Sequence, residues 1–142
     1  MSVIAAPAFG AVCTIQALPT LGFPPYDVFV SAPTVTSQIA KIHCTGNGNL
    51  DTFTVGIGQS ATSGSISGRQ MAQALGGGRL NYNIYKDGGY SNLWGDGTAG
   101  TTGLIVTTTG PNTSVPIYGK IDPGQDAPVG NYNDTVIMSV NP

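Results

Sequence analysis

The sequence predicts an all-β domain, and three features of its composition support that prediction. The 142 residues include 21 glycines and 10 prolines, which interrupt the chain too often for long helices. All seven acidic residues are aspartate, so glutamate, a good helix former, is absent, whereas threonine, valine, isoleucine and tyrosine are frequent. Short segments in which apolar and polar residues alternate recur between turn-forming stretches, a pattern that is typical of a β-sandwich.

Alternation of apolar and polar residues locates the strands of the N-terminal half. The predicted elements are a strand at 13–17, a proline-rich bend at 18–25, an extension of this edge strand at 27–32, a strand whose buried face holds Ala40, Ile42 and Cys44, a hairpin connection at 46–49, and a strand whose buried face holds Phe53, Val55 and Ile57. Lys41 and His43 fall on the opposite face from the cysteine.

The C-terminal half is interpreted in the same way. The predicted elements are a loop at 59–78 with a short helical turn at 71–75, a strand with Leu80, Tyr82 and Ile84 on one face, a loop at 87–103, strands at 104–108 and 115–121, a loop at 122–130, and a last strand at 132–141 that aligns Tyr132, Val136, Met138 and Val140. Six to seven strands at this spacing predict an immunoglobulin-like sandwich over residues 13–142. The sequence stops just after the last strand, so we expect its apolar edge to need a cover.

The charge pattern excludes several classes of partner. The formal net charge is −2, and the basic residues are scattered singly. Without a basic patch that could follow phosphates, nucleic-acid binding is not expected. The longest apolar run is far shorter than the roughly 18 residues of a transmembrane helix. Only 8% of the residues are charged, a composition that favours self-association.

Cys13 and Cys44 are the only cysteines, and His43 is the only histidine. A metal site needs more ligands than this set supplies, so we expect no metal and no cofactor. The cysteines lack the spacing of a redox pair. They fit one structural disulfide in an exported protein, and the alternative is two buried free thiols.

The motifs that would indicate an enzyme are weak. The run Gly64-Ser-Ile-Ser-Gly68 resembles a nucleophile elbow at the wrong spacing, and it lies in a predicted loop. His43 and Cys44 are neighbours on a strand and so point to opposite faces. The run from Gly95 to Gly100 matches a dinucleotide-binding pattern by its letters, but it precedes a strand rather than a helix. We therefore predict that the protein is not an enzyme.

Residues 1–12 form an arm without a charged side chain, which needs a cover. The arm could be inserted into another subunit, could pack on its own domain, or could be the remnant of a secretory signal, since Ala6-Pro7-Ala8 has a cleavage-site pattern. As a strand, it has two competing faces: Val3, Ala5, Pro7, Phe9 and Ala11, or Ile4, Ala6, Ala8, Gly10 and Val12. Pro7 lacks the N–H that a fully paired strand uses.

Several motifs, in order, resemble those of spore coat protein U domains, which form the pilin subunits of archaic chaperone–usher pili. The likeness spans residues 13–140. The motifs are Arg69-Gln-Met71, Leu80-Asn-Tyr-Asn-Ile-Tyr-Lys-Asp87 followed by Trp94-Gly95, Val115-Pro-Ile-Tyr-Gly-Lys-Ile121, and the tail Gly130-Asn-Tyr-Asn-Asp-Thr-Val-Ile-Met-Ser-Val140, with Cys13 and Cys44 where the family places its disulfide.

The resemblance implies an incomplete immunoglobulin-like sandwich that a strand from a neighbouring subunit completes. A periplasmic chaperone and an outer-membrane usher would act during export, and a head-to-tail homopolymer would form an extracellular pilus that supports adhesion and biofilm formation. The implied donor strand holds Val3, Ile4, Ala5, Ala6, Pro7, Ala8, Phe9, Gly10 and Ala11. The implied acceptor groove holds Ile15, Ala17, Tyr132, Val136, Met138 and Val140.

Two alternatives remain open at this point. Tyr85, Tyr90, Trp94 and Tyr118 could form an aromatic platform for carbohydrate at a pilus tip, and Asp87 and Asp96 flank the same loop without the spacing of a calcium loop. The family's name also suggests a structural protein of a spore or cyst coat.

Overall fold

The computed structural model describes residues 2–5, 13–44, 51–108 and 111–141. These residues form eleven strands and no α-helix. The strands are β1 (Ser2–Ala5), β2 (Cys13–Ala17), β3 (Thr34–Cys44), β4 (Asp51–Ile57), β5 (Gln70–Gln73), β6 (Arg79–Asn81), β7 (Asn83–Tyr85), β8 (Leu104–Thr108), β9 (Asn112–Ile121), β10 (Tyr132–Asn133) and β11 (Thr135–Asn141).

Two four-stranded sheets enclose one hydrophobic core. One sheet has the order β1-β11-β4-β8 and the other has the order β2-β3-β9-β7, while β10, β5 and β6 form a small third sheet. The core takes Ile42 and Ile117 from one large sheet and Val55 and Met138 from the other. The all-β sandwich prediction is therefore confirmed.

The indole of Trp94 closes the core beside strand β4. Its ring is fully buried, and its Nε1–H donates a hydrogen bond to the carbonyl of Val55 at 2.8 Å. Trp94 is thus a core residue, and it cannot be part of a surface platform for carbohydrate.

Four local predictions differ from the structure. Residues 27–32 contain a turn, in which the Val30 N–H donates to the Asp27 carbonyl at 3.2 Å, and not an extended edge strand. Residues 70–73 form a strand where a helical turn was expected, because β5 pairs with β6 and β10. The predicted strands at 80–84 and 132–141 are each divided, since their two halves pair with different sheets. The hairpin predicted at 46–49 lies outside the described residues.

The disulfide joins the first strand of the sandwich to its neighbour. Cys13 and Cys44 lie directly opposite each other in the antiparallel β2–β3 pair, and their sulfur atoms are bonded. The disulfide prediction is confirmed, and the alternative of two free thiols is wrong.

A buried arginine connects strand β4 to the loops that cover it. Arg69 is fully buried, and its guanidinium donates hydrogen bonds to the carbonyls of Ile57 (2.8 Å), Gly58 (2.9 Å) and Trp94 (2.8 Å) and to Asn83 Oδ1 (2.8 Å). Burial lowers its pKa to about 10, so the group stays cationic at neutral pH. The carbonyl oxygens replace the water that this charge loses on folding.

A second buried network fixes the point where strand β11 begins. The Tyr82 hydroxyl donates to Asp134 Oδ2 at 2.6 Å, and the other carboxylate oxygen accepts from the Thr62 N–H at 3.1 Å and from the Thr62 hydroxyl at 2.9 Å. Asp134 separates β10 from β11, and only 4% of its surface is exposed. Burial, together with the hydrogen bond to Asp134, raises the pKa of Tyr82 far above its ordinary value.

We predict that replacing Cys13 and Cys44 by serine lowers the free energy of unfolding by about 3–4 kcal/mol, because the disulfide closes a loop of 31 residues. Urea unfolding of the oxidised protein and of the double variant measures the difference. The same variant in the presence of a reductant serves as the control, since only the wild-type protein should then lose stability. Equal midpoints for the oxidised protein and the variant would contradict the prediction.

We predict that Tyr82→Phe costs about 1–3 kcal/mol at pH 8, because it leaves the buried Oδ2 of Asp134 without its donor. The phenol also makes stability depend on pH. Above pH 10 the unfolded chain releases this proton while the folded chain retains it, so wild-type stability falls by about 1.4 kcal/mol per pH unit.

Urea unfolding at pH 8 and pH 11 tests this effect. The fall in stability between the two pH values should be smaller in Tyr82→Phe than in the wild-type protein. The matched variant Tyr118→Phe, which alters a half-exposed ring, should keep the wild-type fall. An identical fall in all three proteins would refute the role of Tyr82.

Candidate functional site: the outer edge of strand β11

Strand β11 has one buried face and two backbone edges. Val136, Met138 and Val140 point into the core and are at most 2% exposed. On one edge, the Ile137 carbonyl accepts from the Gly58 N–H at 2.9 Å, on the side where β4 pairs with β11. Because backbone groups alternate between the two edges, the N–H and C=O of Val136, Met138 and Val140 face the opposite side. We call this second side the outer edge of β11.

The N-terminal strand β1 occupies part of this outer edge. β1 runs parallel to β11, with Ser2 opposite Thr135 and Ala5 opposite Met138. The Ser2 N–H donates to the Asp134 carbonyl at 2.6 Å, and half-buried Val3 packs against the core. The ladder with β1 ends at Met138, so Ser139–Asn141 pair only with β4 among the described strands.

Residues 2–5 thus pack on the chain's own domain, in the manner that the self-packing hypothesis expects. Of the residues predicted as the donor strand, Val3, Ile4 and Ala5 pair with β11. Val3, which belongs to the first of the two possible faces, packs against the core, whereas the preceding Ser2 is exposed. The predicted donor residues Ala6, Pro7, Ala8, Phe9, Gly10 and Ala11 lie outside the described residues.

Four of the six predicted groove residues are core-facing residues of β11 and β2. Val136, Met138 and Val140 are buried in the core from β11, and half-buried Ile15 packs against the same core from β2. Strands β2 and β11 approach each other here but belong to different sheets.

The other two predicted groove residues lie elsewhere. Ala17 is exposed, because the register of β2 shifts between Ile15 and Ala17. Tyr132 lies in β10, where it pairs with Gln73 of the small sheet, and its hydroxyl donates to the Pro128 carbonyl at 2.6 Å.

The sequence interpretation missed the residues that hold the end of the site. Asp134 fixes the start of β11 through its side chain, and its carbonyl accepts the first hydrogen bond of β1. The only signal for this role was the Asn-Asp-Thr run at 133–135, which interrupts an otherwise apolar alternation. Polar residues inside an apolar strand are rarely buried without partners, so this interruption could have indicated a buried network.

Three tyrosines cluster on the other sheet. Tyr90 packs edge-to-face on Tyr85 and on Tyr118, with ring centroids 5.8 and 6.4 Å apart, and the Lys120 ammonium lies 5.3 Å from the Tyr85 ring centre. Tyr90 has a φ of 56°, an uncommon value for a tyrosine, so its ring contacts offset some backbone strain. Three of the four proposed platform residues therefore do come together, without Trp94.

The remaining polar motifs have structural roles. Hydrogen bonds from the Ser91 hydroxyl and from the Asn92 N–H hold the pKa of Asp87 below its ordinary value, and they use the carboxylate to close a loop. His43 contacts Asn112, while Cys44 is in the disulfide. No group of three or more metal-binding side chains occurs within the described ranges. In the same ranges, no helix is long and apolar enough to cross a membrane.

Comparisons with known proteins agree with this architecture. The profile of the Spore Coat Protein U domain matches residues 1–139. Protein U of Myxococcus xanthus is 32% identical over 133 residues, which cover 85% of this chain and 70% of that protein.

Two solved structures match this chain. One is a chain of the CsuC–CsuE chaperone–tip adhesion subunit pre-assembly complex from archaic chaperone–usher Csu pili of Acinetobacter baumannii, with a TM-score of 0.54 and 22% identity over 87% of this chain. This chain spans 40% of the length of that one. The E. coli Hda pilus minor tip subunit HdaB is less similar, with a TM-score of 0.42 and 17% identity over 75% of this chain and 79% of that one.

The family match extends over almost the entire sequence, and it includes the motifs whose side chains form the Arg69 and Tyr82–Asp134 networks. The chain belongs to the Spore Coat Protein U domain family.

Proposed function

We propose that this protein is the structural subunit of an archaic chaperone–usher type pilus on the cell surface, and that it polymerises by strand addition. The N-terminal arm of one copy pairs with the outer edge of β11 in the next copy. The resulting fibre supports adhesion and biofilm formation. The proposed work is mechanical, and it needs no cofactor and no catalytic residue.

The observation that carries this proposal is that the outer edge of β11 is only partly paired among the described residues. Its strand presents three buried apolar side chains on one face, while β1 pairs with only four of its seven residues on the outer side. An edge of this kind binds extended segments, because backbone hydrogen bonds supply affinity and alternate side-chain pockets supply specificity. The occupancy by Ser2–Ala5 supports the view that arm residues are compatible with this edge.

Addition between copies gives a fibre for a geometric reason. The donor segment and the acceptor edge are different surfaces, so the contact is head-to-tail and does not close on itself. An arm of twelve residues in trans could pair with the full length of β11, whereas β1 pairs with only four residues. The low charge of the chain adds little repulsion between neighbouring copies.

The assembly partners are part of the proposal. The fold neighbour from the Csu system was crystallised in a chaperone–subunit pre-assembly complex. By analogy, a periplasmic chaperone would cover the outer edge of β11 before assembly, and an outer-membrane usher would catalyse the exchange. This route places the finished fibre outside the cell.

The clustered tyrosines favour a second candidate function, the binding of carbohydrate at a fibre tip. Aromatic faces stack on sugar rings, and the loop holds Tyr90 in an uncommon backbone conformation beside Tyr85 and Tyr118. A glycan array bound by the wild-type chain but not by Tyr90→Ala would support it, and an array without signal would remove it. A coat structural protein built by the same strand addition is the further alternative.

We predict that deletion of residues 1–12 abolishes filaments, because the chain then has an acceptor edge but no donor. Negative-stain imaging of cells that co-express the chaperone and usher measures the loss. The deleted chain should still be recovered in complex with the chaperone, which covers the vacant edge. Filaments of normal number and length from the deleted chain would disprove strand donation by the arm.

The polarity of the contact gives a second readout from the same variant. A chain without its arm can accept a neighbour but cannot donate, so it should terminate growth when co-expressed with the wild-type chain. Filament length should fall as the fraction of deleted chain rises. The matched control is Tyr90→Ala with an intact arm, which should leave the length distribution unchanged.

A further inference from the structure

The pairing of β1 with β11 is parallel and short, and both properties affect assembly. β1 is parallel to β11, and its four residues pair with the first four residues of that strand. Its first N–H reaches the carbonyl of Asp134, the residue that the buried Tyr82 hydroxyl holds in place. β1 therefore pairs with the N-terminal end of β11, which the hydrogen bond between Tyr82 and Asp134 holds in place.

The side chains of β1 contribute little to this docking. Ser2 is exposed and Val3 is only half-buried, although Val3 touches the core. A parallel pair is also slightly less stable per residue than an antiparallel pair. Few buried apolar contacts and a short ladder are typical of a segment that opens at low free-energy cost.

We propose that β1 is a releasable strap, which caps the chain's own outer edge of β11 in the lone subunit and must leave before another strand can add. The inference rests on the proposed function, because it concerns the regulation of the same edge. The strap protects Val136 and Met138 from pairing with other chains, and a longer incoming strand displaces it by offering more backbone hydrogen bonds.

Native-state amide hydrogen exchange of the full chain tests the strap. The N–H groups of Val136 and Met138 face β1, whereas the N–H of Ser139, which lies opposite Gly56, faces β4 and serves as the internal reference. Val3→Asn removes the apolar contact of the strap, and Ser2→Asn is the matched control at the exposed neighbouring position. We expect exchange at Val136 and Met138 to become about fivefold faster in Val3→Asn, from the loss of a half-buried valine. Ser2→Asn should match the wild-type chain.

Two results would overturn the proposal. Unchanged exchange at Val136 and Met138 in Val3→Asn would mean that β1 does not protect the edge. Equal acceleration at Val136, Met138 and Ser139 would mean that β1 is an integral part of the domain, which opens only when the domain unfolds.

A peptide-binding assay separates the strap from the proposed function. The probe is a fluorescent peptide of residues 1–12 with lysines appended for solubility, added to the full chain. The strap predicts binding about fivefold faster to Val3→Asn than to Ser2→Asn, by the same loss of valine burial. Equal rates would overturn the strap and leave strand addition intact. Binding to neither variant, with the exchange result as expected, would support the strap and count against strand addition.

Discussion

The architecture depends on how the last strand of the sandwich is paired. Val136, Met138 and Val140 belong to the core, so β11 cannot be withdrawn from the sheet without exposing apolar side chains. Its backbone nevertheless has two edges. On one edge, β4 pairs with Met138–Asn141, and the N–H groups of Gly58 and Ala61 donate to the carbonyls of Ile137 and Thr135. On the other edge, β1 pairs only with Thr135–Met138 among the described residues. Satisfying the other edge is a constraint that any state of this protein must meet, whether by its own arm or by another chain.

The buried polar residues make that edge rigid. Arg69 donates hydrogen bonds to carbonyls at the end of β4. At the start of β11, the Asp134 carboxylate accepts hydrogen bonds from the hydroxyls of Tyr82 and Thr62. A buried charge that is fully hydrogen-bonded holds its neighbours in one arrangement, because any shift leaves a polar group without a partner. The edge is thus held in one arrangement, which suits the addition of an extended segment.

Two strand pairings compete for this edge, one with the chain's own arm and one with the arm of another copy. The ladder within the chain is short and parallel, and it is favoured because the arm is covalently attached and therefore always near. A ladder between chains could be longer, and its advantage grows with each additional backbone pair. In this view, the balance between a capped subunit and a growing fibre is set by how tightly Val3 and its neighbours bind their own domain.

The sequence by itself determined the fold class, the buried faces and the disulfide. Alternation predicted the inward faces of β3, β4 and β11, because a side-chain period of two is a local property of extended backbone. Two isolated cysteines at the ends of alternating strands were enough to predict their bond. Residues of the family motifs supply both core side chains and buried hydrogen bonds.

Only the tertiary structure decided how broken strands are shared between sheets and where the arm lies. The division at Asp134 depends on Tyr82, 52 residues away, and the pairing of β1 joins opposite ends of the chain. Tyr132 follows the same apolar alternation as Val136, yet it pairs in another sheet because Asp134 turns the chain between them. Such outcomes are set by contacts between distant segments, and a local pattern of residue types does not encode which segments will meet.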